Sequence, residues 1–271
     1  MAQHPLLESP AQVTESASSF YAQHFTNMMT YSLGEMLLKT HDEFLTHTGK
    51  VFSTDDQTPR EVFPEHFSRL DKLSEYVKES RPARLEMALS RSVDNFLSYV
   101  SDILTQAIIT RPDLLKTQEQ VSLEEVLNHA SLEDFVRWAA ERRVNQLSFK
   151  GLSDIAQYVE KRLGMTLHSS EDDWTSLNEA VAVRNIIVHR RAIIDERFLW
   201  SIKDSKLTVG QKYEVPREKL AQAMKCTMRI VHDFDSRIAE KFDLPLVNSC
   251  DQPWFERVHG ESKVQAGEDD A

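Results

Sequence analysis

The residues of this chain whose types and spacing could do chemistry lie in one run, Glu179-Ala-Val-Ala-Val-Arg184-Asn185-Ile-Ile-Val-His189-Arg190-Arg191. On a helical wheel of about 100° per residue, Arg184 falls between Leu177 and Val188, on the face expected to be buried. An unpaired guanidinium is costly there, so Arg184 needs a carboxylate, a partner protomer or an anion for company. Asn185 and His189 are four positions apart and share a neighbouring face. With Arg190, Arg191 and, further on, Arg197, they make a phosphate-sized positive site. Such a site could hold a phosphate and move a proton: His is the side chain suited to accept or donate one near neutral pH, and Arg offers a fixed, bidentate cation. Purely structural roles exist for the same residues. His189 can cap the helix C-terminus through the dipole, and Arg184 can pair with Glu179 or with a carboxylate on the long preceding helix such as Asp94. Arg190 and Arg191 can be a solvated helix end.

The run Arg184-Asn185-Ile186-Ile187-Val188-His189 resembles the signature of the HEPN superfamily, an Arg separated by four to six residues from a His on one helix, commonly with Asn directly after the Arg. The flanks Leu177-Asn-Glu-Ala and Ile193-Ile194-Asp195-Glu196-Arg197-Phe198 are similar to the HEPN relatives grouped with RiboL-PSP proteins, and the likeness covers about Arg81 to Leu244. Two other Arg-to-His spacings, Arg60 to His66 and Arg162 to His168, are interrupted by Pro64 and Gly164 and cannot hold both groups on a rigid helix. The resemblance implies an all-α fold and metal-independent RNA cleavage in the cleft of a homodimer, without a cofactor. Arg184 and His189 would be catalytic, Asn185 would orient the phosphate or the imidazole, and Arg190, Arg191 and Arg197 would bind RNA phosphates. It also implies a role in host defence or growth restriction, with a protein inhibitor or partner. The alternative within the same family is a non-catalytic interaction or scaffold module. In the toxin branch paired with nucleotidyltransferase antitoxins a Tyr lies two residues after the His. Here that position is Arg191, so regulation by modification of that Tyr is not expected.

Composition narrows the alternatives. The 271 residues carry 32 Lys+Arg against 43 Asp+Glu, a formal charge of −11, so no broad cationic cradle for nucleic acid exists and any RNA site must be local. The 7 Gly are about a third of the ~7% typical of proteins, too sparse and scattered for a dinucleotide fingerprint, a P-loop or a kinase lid. Cys226 and Cys250 cannot build a disulfide framework or a cysteine zinc site, and the histidines lack ligand spacing, so no metal is expected. No apolar run approaches the ~18–20 residues that span a membrane, and the start MAQHPLLESP lacks the features of a signal peptide, which reads as a cytosolic protein.

The positioning elements follow from periodicity. Tyr21, Phe25, Met28, Met29, Met36, Leu37 and Phe44 mark a helix over about 15–47, weakened at Gly34. A polar loop over 49–60 and a helix after Pro64 complete an N-terminal helical extension, residues 1–80. A long helix over 83–109 follows and stops at Arg111-Pro112. Ser122 with Glu125, Ser131 with Asp134, and Ser170 with Asp173 are capping-box-like starts of three helices; the last runs through Trp174, Leu177, Val181 and Val188. Another helix begins near Ser153 and ends at Gly164. Trp138 and Trp174 sit in register with apolar stripes and read as core. Leu207, Val209, Tyr213 and Val215 around Gly210 suggest a short extended pair before a last helix that starts at Pro216. The expectation is an all-α, HEPN-like helical bundle over residues 81–246, with a disordered acidic tail over 247–271.

Overall fold

The computed structural model describes residues 10–51, 61, 64–116, 121–202 and 206–255. The fold is all-α, with one very small sheet. The helices are α1 (Glu15–Val51), α2 (Pro64–Glu79), α3 (Arg81–Thr110), α4 (Leu123–Leu127), α5 (Leu132–Lys150), α6 (Leu152–Tyr158), α7 (Glu171–Arg190), α8 (Glu196–Ser201) and α9 (Arg217–Phe242). A π-type turn over Val159–Leu163 extends α6. Strands β1 (Gln12–Thr14) and β2 (Leu246–Asn248) pair antiparallel.

The long helix α3 is the hub because its apolar positions wrap more than one face. Phe96, Tyr99, Val100, Ile103 and Ile108 join one core with Phe20 and Tyr21 of α1, Val144 and Leu147 of α5, and Val231, Phe234 and Ile238 of α9. Leu85, Leu89 and Val93, one to three turns earlier, face a second core with Val183 and Ile186 of α7, Phe198 of α8, Tyr213 and Leu220. That second core backs the Arg184–His189 turn.

The serine starts are those expected. Ser122 and Glu125 make a reciprocal capping box, and the hydroxyls of Ser131 and Ser170 accept from the backbone N–H groups of Asp134 and Asp173. Arg81-Pro82 opens α3 rather than closing the preceding segment, since Pro fits the first helical turn. The Gly34 position has a packing reason. A Cβ there would lie 2.8 Å from Arg84 Cζ, and this close approach lets Arg84 reach Glu35, which Arg81 also holds bidentately at 3.0 and 2.6 Å.

Residues 13–25 belong to the same core as α3 and α9. The structure departs from the sequence reading in two places. The extended residues 207–215 form no hairpin of their own. Instead Ile194 N–H donates to Gln211 O at 2.9 Å and Tyr213 N–H to Ala192 O at 2.7 Å, around a single Ile193–Lys212 bridge, because Ile194, Tyr213 and Val215 bury together against Phe198. Residues 247–255, assigned by composition to the tail, are folded. Trp254 is 3% exposed, stacks on Phe25 at 5.6 Å, and donates from Nε1 to Ser18 Oγ at 2.9 Å. The rest of that tail, and the loop expected beyond Val51, fall outside the described residues.

His24, on the buried face of α1, gives the fold an acid-sensitive point. It is 3% exposed between the rings of Phe20 and Phe25, its Nδ1 has no hydrogen-bond partner, and burial lowers its pKa to about 4. The folded state therefore prefers neutral imidazole, whereas the unfolded chain protonates near 6.5. This contribution is intact above the unfolded pKa and is lost as pH falls from about 6.5 toward about 4. At about 1.4 kcal/mol per pH unit, the loss between pH 7 and pH 5 is about 2 kcal/mol. Urea unfolding of wild type and His24→Leu at both pH values should show that much less acid sensitivity in the variant. Equal pH dependence in the two proteins would contradict the assignment.

Candidate functional site

Helix α7 carries the site, and its ends are electrostatically matched to its dipole. Glu171, Asp172 and Asp173 occupy the first turn, and His189 and Arg190 the last. Its buried stripe is Leu177, Ala180, Val183 and Ile186, so the burial drifts around the helix and leaves Val188 49% exposed. Arg184 consequently lies on the flank of the stripe, not in the core as the wheel implies, with its side chain 23% exposed.

From that flank Arg184 reaches α3. Its Nε donates to Asp94 Oδ1 at 2.8 Å, its Nη2 forms an ion pair with the same oxygen at 2.8 Å, and its Nη1 donates to Asn185 Oδ1 at 3.2 Å. Of the two carboxylates suggested by sequence, Asp94 is thus the partner, while Glu179 pairs with Lys219 on α9. The Asp94 side chain is 47% exposed, so water screens the pair. Its worth to stability is no more than about 1 kcal/mol. Asp94→Ala should therefore lower the thermal midpoint by no more than about 2–4 °C. A drop of 10 °C in a melting curve would mean that Arg184 is chiefly a structural anchor.

Arg184, Asn185, His189, Arg190 and Arg197 all line one open groove of about 630 Å³. The corner between α5 and α6, at Ser148–Gly151, also lines it, and there Gly151 takes φ 107, a region costly for residues with a Cβ. Leu97, Leu152, Ile155, Ile186 and Phe198 also line it and supply its apolar part. Four cations, Lys150, Arg184, Arg190 and Arg197, face one carboxylate, Asp195. Asp195 is also occupied as the N-cap of α8, accepting from Phe198 N–H at 2.8 Å. A local positive groove therefore exists on a chain whose net charge is −11. Asn185, His189, Arg190 and Arg197 are all exposed there.

Arg191 is the one sequence-selected residue outside the lining of this groove. It caps α7 in the left-handed region at φ 55, and Ala192 follows at φ 63. Two consecutive left-handed residues other than glycine cost of order 1 kcal/mol each. They are held because the N–H groups of Arg191 and Ala192 both donate to Ile186 O and Ala192 is fully buried. The turn that follows His189 is thereby fixed.

Phe149 and Lys150 were not apparent from sequence as site residues. The signal that could have found them is an aromatic out of register with the inward Val144 and Leu147, next to a Lys and a Gly. The two tryptophans lie elsewhere. Trp174 stacks on His168 at 4.6 Å and Trp138 clusters with His129 and Phe135, neither of them lining the groove. Among the described residues no group of three or more His, Cys, Asp or Glu is placed to hold a metal ion, and no helix is long and apolar enough to cross a membrane. Comparison with known proteins finds no matching family model, no matching curated protein and no matching solved structure.

Proposed function

We propose that this chain is a metal-independent endoribonuclease of HEPN type, acting as a homodimer. The observation that carries the reading is the shared groove: Arg184, Asn185 and His189 line it together with Arg190 and Arg197, as the resemblance to the HEPN signature requires. In the proposed reaction the ribose O2′ forms a bond to phosphorus and the P–O5′ bond breaks. His189 takes the 2′-hydroxyl proton and the resulting imidazolium returns it, directly or through water, to the departing O5′, leaving a 2′,3′-cyclic phosphate and a 5′-hydroxyl. Arg184 neutralises the phosphorane, where a preorganised cation is worth more than in bulk water. Asp94 and Asn185 hold its guanidinium from two sides, which fixes the fork before substrate arrives. Arg190 and Arg197 bind flanking phosphates.

The test is incubation of the purified chain with RNA in EDTA. Cyclic-phosphate ends should appear with wild type and be lost with Arg184→Ala and His189→Ala. Arg184→Lys should not restore them, because an ammonium lacks the planar fork. Cleavage that survives both Ala substitutions would place the chemistry elsewhere.

A second reading, a non-catalytic interaction module, is favoured by one observation, the ion pair that occupies Arg184 in the free chain. It predicts no cleavage by wild type and a large stability loss in Asp94→Ala. The half-exposed carboxylate argues for the first reading, since a solvated pair stabilises little.

A further inference from the structure

Phe149 is the most exposed large apolar side chain among the described residues, at 93%, and it lines the same groove as His189 and Arg190. Its neighbours on α5 explain the direction. Val144 and Leu147 turn inward, so Phe149, two residues beyond Leu147, faces away from the core. Leaving a Phe in water forgoes about 2–3 kcal/mol of burial.

Its surroundings are cationic. Lys150 is adjacent, and Arg190 and Arg197 lie in the same groove. An exposed aromatic among backbone-binding cations is the arrangement by which single-stranded nucleic acid is held: charges track the phosphates and a ring stacks on a base. A duplex cannot use it, because its bases are already stacked on one another.

We propose that Phe149 is a stacking platform for one unpaired base of the bound strand. This rests on the RNA reading above and adds a residue to that site. No bond is made or broken at Phe149; it is a specificity-determining residue.

The experiment measures fluorescence anisotropy of the full chain with a labelled single-stranded RNA of about 12 nucleotides, of the order of known single-strand site sizes. All its riboses are 2′-O-methylated, so that no nucleophile is present and binding is read alone. The same strand annealed to its complement is the second probe. Wild type should bind the single strand at least tenfold more tightly than the duplex. Phe149→Ala and Phe149→Leu should each lose about tenfold on the single strand and little on the duplex, while Phe149→Trp retains affinity. Unchanged binding by Phe149→Ala, with weakened binding by Arg197→Ala, would reject the platform and leave the RNA groove standing. No binding of either probe by wild type would reject both. Loss of binding together with a change in sedimentation would make Phe149 a contact between protein copies and overturn the proposal.

Discussion

His189→Ala is expected to lower RNA cleavage by about 10²–10⁴-fold, the usual worth of a positioned acid or base, while the thermal midpoint moves by no more than about 2–3 °C. The two halves of this expectation have separate physical causes. The activity loss follows from removing the proposed proton carrier from a groove where Arg184 and Asn185 remain in place. The small stability change follows from exposure. His189 sits in the solvated last turn of α7, where its only general contribution is a favourable interaction with the helix C-terminus, worth about 0.3–1 kcal/mol. Measuring cleavage in EDTA and melting on the same preparation separates chemistry from folding. A variant that cleaves at the wild-type rate removes His189 from the mechanism. One that melts far below wild type makes the imidazole a structural group.

The largest stability effect is expected at Asp235, far from the groove. This carboxylate on α9 is 3% exposed and accepts three hydrogen bonds: from Thr14 N–H at 3.0 Å, from Thr14 Oγ1 at 2.6 Å and from the Tyr99 hydroxyl at 3.2 Å. Thr14 in turn caps α1, its Oγ1 accepting from Ala17 N–H at 3.1 Å. One carboxylate therefore ties together the start of α1, the middle of α3 and α9. Burial pushes its pKa above the ordinary carboxylate range despite the hydrogen bonds, and its charge adds to the burial that raises the Tyr99 and Tyr21 hydroxyls. Asp235→Ala leaves three buried donors unmet at about 1–3 kcal/mol each, partly relieved by relaxation, so a loss of about 3–5 kcal/mol is expected. The melting midpoint should fall by about 10 °C or more. Thr14→Ala should cost about 1–2 kcal/mol. A loss in Asp235→Ala no greater than in Thr14→Ala would contradict this account of the network.

What the sequence disclosed was what is local. Serine caps such as Ser122, Ser131 and Ser170 act within three residues of themselves, and the Arg184-Asn185-His189 spacing lies within one helix, so both could be read from a short window. Non-local features could not. Asp94 lies 90 residues from Arg184, and the sequence offered it beside Glu179 with nothing to choose between them. The β1–β2 pair joins residues more than two hundred positions apart and has only three residues on each side, too few for a period-two signal. The left-handed pair Arg191–Ala192 carries no glycine, so nothing in its composition announced the turn. Phe149 was hidden for another reason, since an apolar residue reads as core unless its register is checked against a known corner.

The β1–β2 clasp and the docking of Trp254 have a consequence for biosynthesis. The first helix emerges from the ribosome with Phe20, Tyr21 and Phe25 uncovered. The side chain that stacks on Phe25, packs tilted against Tyr21, and whose indole bonds Ser18, is made 236 residues after that serine. Closure of this corner must wait until residue 254 has been translated, and such long-range closure is intrinsically slow. Until then the nascent chain carries Tyr21 and Phe25 without their indole cover, the kind of transiently exposed apolar surface that favours aggregation.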